Sequence, residues 1–434
     1  MRLTRGAIKK MVKTAKTVHK KLIFVVLDGI GDRLVKELEN RTPLEAAHTP
    51  LLDKLAAEGA TGILQVLPFA PESDEAVFTL LGYQLKDYTG RGPLEALGSG
   101  IAFSKGMLAL RCNFATANGS KLIDRRVGRN LSSNEAKLLA HSIIKNVRFK
   151  QGSFEFKTTV GHRAVLILKS KKKLSGEISN TDPAYRVVKG KVPEALANFK
   201  MEVLRSRAFS PAAKASASLL NEFTEKSSKV LGNDPVNLKR QHEGNLKANV
   251  VLCRDAGSKL PDIKQINKLT GRNWAIIADM PLEIGIGKLT GMQVLEAPIV
   301  STGRIGYKQV AELAVNSLKN YDSIYVHIKG PDVFGHDGDY EGKKHNIEDI
   351  DATFFGTLLS RLKHDTMIVV TGDHATPCPV KGHSDDPVPL LVWNSGVTDN
   401  VKRFNEVECS KGTLGMLKGS ELMKKIVELA KGKV

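Results

Sequence analysis

Leu22 to Leu27 (LIFVVL) is a continuous apolar run rich in β-branched residues, and it restricts the fold more than any other stretch. A strand with one wet face alternates polar and apolar side chains, whereas an unbroken run suits a central strand of a parallel sheet covered on both faces. This run ends in Asp28-Gly29-Ile30-Gly31-Asp32. Two later segments repeat the pattern: Ser323 to Ile328 (SIYVHI) leads into a loop carrying Asp332 and His336, and Ile368 to Thr371 breaks at Gly372 to deliver Asp373 and His374, with His383 nine residues on. Ligands of open α/β sheets gather beyond the carboxyl ends of strands. One Asp-Gly after a strand is an ordinary turn signal. Recurrence at three strand ends instead predicts one site of carboxylates and imidazoles, a donor set for Zn- or Mn-type divalent ions.

Between the first two of these runs lie helix signals. Thr42-Pro43-Leu44-Glu45 has capping-box spacing with Pro at the first helical position, and Thr49-Pro50 opens a helix that Gly59 can close. Gly62 to Leu67 reads as a further strand, followed by a loop and Glu72-Ser73-Asp74-Glu75. Local sequence makes Ser73 the N-cap of a helix running to Gly82, with Asp74 and Glu75 favourable in its first turn. A hydroxyl at a helix N-terminus beside metal ions is equally suited to be a nucleophile, since backbone N–H groups there stabilise a transferred phosphoryl group. With Ser73 the donor set suffices for two ions, an arrangement suited to phosphoryl or sulfuryl transfer. In Tyr88-Thr89-Gly90-Arg91-Gly92-Pro93, Arg91 precedes a helix started by Pro93 and is placed either to bind an anion or to face solvent.

From about Gly106 short strands mix with polar, basic connections, and the parallel-strand signals resume only at Trp274. This predicts an inserted α+β domain over 107–265, a discontinuous core over 21–106 and 266–434, and a basic extension over 1–20. Within the insertion, AAKASASLLNEF from Ala212 reads as helix and the stretch to Lys247 as polar loop. Asp124-Arg125-Arg126-Val127-Gly128-Arg129 places three arginines within five residues; such a cluster is usually a solvated turn, but Arg also binds carboxylate and phosphate through paired hydrogen bonds. Arg163 and Arg254, beside further strands, are weaker candidates of the same kind.

Composition limits the function classes. The net charge of +19 favours anionic partners, yet aromatics are 6% and no nucleic-acid-binding motif is present, so a small anionic substrate is the expectation and no specific nucleic acid. No apolar run approaches a membrane span, and the basic first residues lack the apolar core of a secretory signal. Cytoplasmic residence follows as an expectation, in keeping with four widely spaced cysteines and no CxxC pair. The oligomeric state is left open.

Several motifs together carry a resemblance: DGxGD at Asp28, TPLEAAxTPxxDxLAxxG from Thr42, SDxxxxxLLGY from Ser73, YTGRGPLEA from Tyr88, RCNFAT at Arg111, DRRxGR from Asp124, GHRAVL from Gly161, DxxGHDG from Asp332, and TGDHxTPC with HSxDPVP. The chain resembles the alkaline phosphatase superfamily, and within it the archaeal-type 2,3-bisphosphoglycerate-independent phosphoglycerate mutases, over nearly everything after residue 20. The resemblance implies an α/β, alkaline-phosphatase-like core with a mostly parallel central sheet flanked by helices. It implies Ser73 as the nucleophile carrying a phosphoserine. Asp28, Ser73, Asp373 and His374 would hold one metal and Asp332, His336 and His383 the other. The ions would be Mn²⁺, with Zn²⁺, Co²⁺ or Mg²⁺ as alternatives, and no 2,3-bisphosphoglycerate would be needed. Arg91, Asp124, Arg125, Arg126, Arg129, Arg163 and Arg254 would contact phosphoglycerate. The implied reaction interconverts 3- and 2-phosphoglycerate, a step of glycolysis and gluconeogenesis. The alternative is a phosphomonoesterase or other phosphotransferase on the same core, because water reaching the phosphoserine would turn the mutase into a phosphatase. Asp124 is a conjectural acid/base. Val77 stands where many relatives have histidine, and Lys288 is the lysine nearest Ile284, where some relatives carry one.

Overall fold

The structure is a computed structural model describing residues 20–187, 194–196, 198–296, 303–363 and 365–431. The basic extension 1–20 therefore lies outside the described residues, apart from Lys20. The chain divides into two compact units, one of residues 1–86, 263–279 and 290–434, the other of residues 87–262 and 280–289.

The first unit is built on an eight-stranded sheet in the order Gln293–Leu295, Trp274–Ile277, Ser323–Ile328, Lys21–Leu27, Thr366–Thr371, Val388–Trp393, Ala60–Gln65, Gly415–Lys418. All pairings are parallel except the two made by Val388–Trp393. The mostly parallel sheet expected from the apolar runs is thus present, and the central strands Lys21–Leu27, Ser323–Ile328 and Thr366–Thr371 are buried along almost their whole length. Apolar side chains of these strands pack against Leu52, Leu55, Ala311, Ala314, Phe354 and Phe355 from flanking helical segments. Register then decides where the polar residues go. Leu27 lies beside Ile328, and Val26 beside Thr371. The residues that follow these three strands leave the sheet along one edge.

The second unit contains a five-stranded antiparallel sheet in which Leu108–Asn118 pairs with Arg163–Lys169 on one side and Val250–Gly257 on the other. Its core joins this sheet to the helices Ser133–Asn146 and Lys214–Gly232. The polar stretch before Lys247, read from sequence as loop, contains a further helix, Pro235–His242, whose N-cap Asp234 accepts a hydrogen bond from Val236 N. Residues 87–106 and 280–289 belong with this unit, unlike the boundaries read from sequence. The reason is a backbone-to-backbone contact between helices Arg91–Gly98 and Pro281–Thr290: a Cβ on Gly285 would lie 2.0 Å from the Leu94 carbonyl oxygen.

Candidate metal centre and arginine cluster

At the carboxyl edge of the first sheet, Asp28 follows Leu27 and is fully buried. Gly29 follows at φ +63°, and a Cβ there would come 2.9 Å from Asp332 Cα, so only glycine lets the two segments approach. Asp373 and His374, also buried, follow the strand Thr366–Thr371. His383 reaches the same edge because Val388–Trp393 runs antiparallel, so the segment before it starts where Thr366–Thr371 ends. Bridges of Ala375 to Ile30 and Ser384 tie these loops together.

Three sequence readings need correction here. Asp332 and His336 sit on a helix, Gly330–Asp337, rather than in a loop; their four-residue spacing places both on one helical face. Ser73 is not the N-cap. Glu72 caps the helix Ser73–Leu80 through a capping box with Glu75, which leaves Ser73 as the first helical residue. Likewise Arg91, not Pro93, starts its helix.

The donor atoms form two groups that share a border. His374 Nε2 lies 3.4 Å from Asp28 Oδ1, 3.4 Å from Asp373 Oδ2 and 3.4 Å from Ser73 Oγ. His336 Nε2 lies 3.2 Å from His383 Nε2, and each is 3.5 Å from Asp332 Oδ1. The rings of His374 and His383 stack at 3.8 Å between centroids, joining the groups. Asp28 Oδ1 and Asp373 Oδ2 are buried without a hydrogen-bond donor. Lone pairs that converge with no donor between them fit a cation. The residues present therefore suit divalent metal on the chemistry of the donors.

Charges of both signs crowd this edge. Burial opposes ionisation of Asp28 and Asp332, yet Lys329 above all, with His327 at Asp28 and His383 at Asp332, holds both well below the ordinary carboxylate range. Burial and the Asp28 charge push Asp373 up to about 7. Burial and the adjacent His383 keep His374 neutral, with its pKa down at about 3, the form that donates a lone pair to a metal. Burial works against protonation of His383, but its contact with Asp332 and the charge of Glu72 raise it to about 9.

Behind the donors stands a supporting set that the sequence reading missed. His327 Nε2 lies 2.9 Å from Asp28 Oδ2, and Tyr325 Oη lies 3.0 Å from His327 Nδ1. Lys329 Nζ spans Asp28 Oδ2 at 2.5 Å and Asp332 Oδ2 at 3.0 Å, while Thr376 Oγ1 donates to Asp332 Oδ1. The available signal was a tyrosine and a histidine inside an otherwise apolar buried strand. Val77 is buried inside the helix Ser73–Leu80.

The second unit gathers the arginines. Arg111 and Arg254 are direct cross-strand partners, a like-charged pair that a sheet disfavours. Glu95 offsets it, 3.0 Å from Arg111 Nε and 2.8 Å from Arg91 Nε, together with Asp182, 2.9 Å from Arg254 Nη1. Arg125 grips Asp182 with two bonds, at 2.8 and 2.7 Å, and the Arg254 guanidinium lies 4.4 Å from the centre of the Tyr185 ring. Arg163 is held down to about 10 by burial and the neighbouring Arg111 charge, and His162 down to about 3 by burial and Arg163. Burial and the adjacent Arg129 lower Arg126 as well. An excess of guanidinium over carboxylate, partly desolvated, suits an anion. Asp124 holds the turn that follows it, accepting hydrogen bonds from the Arg126 and Gly128 amides. Lys288 donates to the Leu97 carbonyl. Arg111, Glu95, Asp182 and Tyr185 were not among the substrate residues read from sequence.

Comparison with known proteins adds an independent line. The family described as 2,3-bisphosphoglycerate-independent phosphoglycerate mutase matches residues 56–237. The chain is 40% identical over 428 residues to the Aeropyrum pernix protein of that name, covering 95% of this chain and 100% of the relative. Against the Methanopyrus kandleri protein of the same name identity is 39%, over 95% of this chain and 97% of the relative. A solved structure described as cofactor-independent phosphoglycerate mutase, from Thermoplasma acidophilum, superposes with a TM-score of 0.62 at 33% identity, covering 95% of this chain and all of that one.

Proposed function

The chain belongs to the family of 2,3-bisphosphoglycerate-independent phosphoglycerate mutases, and from that premise we propose that it interconverts 3- and 2-phosphoglycerate through a phosphoserine at Ser73, as a step of glycolysis and gluconeogenesis. The observation that carries this reading is the convergence of carboxylates and imidazoles from successive strand ends on a serine at the first position of a buried helix. Asp28, Asp373, His374 and Ser73 would hold one divalent ion and Asp332, His336 and His383 a second, Mn²⁺ in this proposal with Zn²⁺, Co²⁺ or Mg²⁺ as alternatives. Divalent ions held by these residues would supply charge neutralisation for the phosphoryl group.

The chain's own groups supply the rest. Ser73 Oγ forms a bond to phosphorus as the bond from phosphorus to the 3-oxygen breaks; the serine proton is released and the departing 3-oxygen takes one up. Glycerate then presents its 2-hydroxyl, whose oxygen bonds to phosphorus as the bond from phosphorus to Ser73 Oγ breaks; that hydroxyl gives up its proton and Ser73 Oγ takes one up. First-turn amides of the helix Ser73–Leu80 favour the negative charge carried through both halves. Lys329, in contact with Asp28 and Asp332, adds a fixed positive charge. The guanidinium groups of Arg91, Arg125, Arg126, Arg129, Arg163 and Arg254 bind the substrate's anionic groups, and Arg111 joins them. Asp124 keeps the Arg125 to Arg129 turn in place and is not assigned to proton transfer.

A coupled assay of 3-phosphoglycerate with Mn²⁺ and no 2,3-bisphosphoglycerate, recording 2-phosphoglycerate and free phosphate together, tests this reading. Isomerisation without phosphate release is expected. Phosphate release alone would replace the mutase with a hydrolase.

A further inference from the structure

Cys112 and Cys253 take no part in the chemistry above, yet their sulfurs face each other at 3.2 Å across the strands Leu108–Asn118 and Val250–Gly257. Both are free thiols, buried in the core of the second unit. The type of pairing matters. Antiparallel partners alternate between hydrogen-bonded and non-hydrogen-bonded pairs, and side chains are closer in the latter, whose Cα atoms lie about 4.5 Å apart. Phe114 N donates to the His162 carbonyl on the far side from Val250–Gly257, so the backbone of Cys112, two residues earlier, turns the same way. Cys253 N donates to Thr181 Oγ1 at 2.8 Å and its carbonyl accepts from Thr181 N at 2.9 Å, again away from the partner strand. Neither cysteine bonds the other through its backbone. They form a non-hydrogen-bonded pair, the kind whose Cα spacing, about 4.5 Å, lies inside the range a disulfide spans.

We propose that Cys112 and Cys253 are a redox-modifiable site that closes into a cross-strand disulfide with a small-molecule disulfide as oxidant and reopens with a dithiol. One thiolate attacks a sulfur of the oxidant and expels a thiol; the second cysteine attacks the protein sulfur of that mixed disulfide and expels the other. Two electrons and two protons leave the protein pair, and the oxidant ends as two thiols. Burial pushes the Cys112 thiol well up, so the reaction follows opening of the sheet. The adjacent rung is the like-charged pair Arg111 and Arg254. A covalent tie one residue away holds together strands that this repulsion pushes apart, and it closes a long loop in the unfolded chain.

The test treats the full-length protein with oxidised glutathione or with dithiothreitol, then counts thiols under denaturing conditions and maps cross-linked peptides without reduction. Oxidation should lower the count from four to two, yield a peptide pair joined at Cys112 and Cys253, and raise the midpoint of guanidinium unfolding. Cys112→Ala and Cys253→Ala should each lose that shift, and Cys378→Ala should keep it. Four thiols remaining after oxidation through partial unfolding and refolding, or a stable glutathione adduct in place of the internal bond, would overturn the proposal. The peptide map of the unsubstituted protein decides the matter even if the alanine variants fold poorly.

Discussion

Gly29 and Ser73 are the residues where one atom matters most. At Gly29 a methyl group would come 2.5 Å from Thr376 Oγ1 and 2.9 Å from Asp332 Cα, in a left-handed conformation that alanine also resists. Gly29→Ala should therefore weaken metal binding by roughly tenfold or more, the size seen when a ligand's support is disturbed. A Mn²⁺ titration checks this, and unchanged affinity would mean that Asp28 and Asp332 do not share a site. Ser73→Ala should abolish turnover and shift stability by about 1 kcal/mol at most, because Glu72 rather than Ser73 caps the helix. Substantial remaining activity would exclude Ser73 as nucleophile. The sequence marked both positions, but it put Ser73 one place too early. Glu72 outcompetes it as a cap because Glu75 returns the bond to the Glu72 amide.

Among the elements, the helix Tyr340–Asp349 holds the loops of the site in place. Lys343, fully buried, donates to Asp32 Oδ2 at 2.7 Å and to the carbonyls of Gly31 and Thr376 at 3.1 and 3.0 Å, joining the segments beyond two strands. Lys343→Met would leave Asp32 buried without its charge partner and should cost about 3 to 5 kcal/mol. Urea unfolding measures the loss; a change below about 1 kcal/mol, the surface-pair range, would mean that water replaces the lysine. Nothing in the local sequence announced this lysine, since a charged residue on a polar helix reads as solvated. The helix Gly330–Asp337 was read as loop for a related reason. Its Gly, Pro and Asp are turn residues by propensity, and tertiary packing around the buried Asp332 overrides that preference.

For the whole molecule, metal removal is the broadest test. Exhaustive chelation should abolish turnover and Mn²⁺ should restore it; activity that persists with no detectable metal would refute the donor assignment. Among the described residues no helix is long and apolar enough to cross a membrane. By itself the sequence determined the mostly parallel sheet, because short unbroken runs rich in β-branched residues suit strands covered on both faces, and it determined the strand-end residues that follow those runs. Tertiary structure alone decided what surrounds them. Register set Asp28 beside Lys329 and His327, antiparallel return of one strand brought His383 to the shared edge, and cross-strand pairing set Arg111 against Arg254. Local pattern records which faces are buried. It does not record which distant charge lies across the gap, because that depends on contacts between residues far apart in the chain.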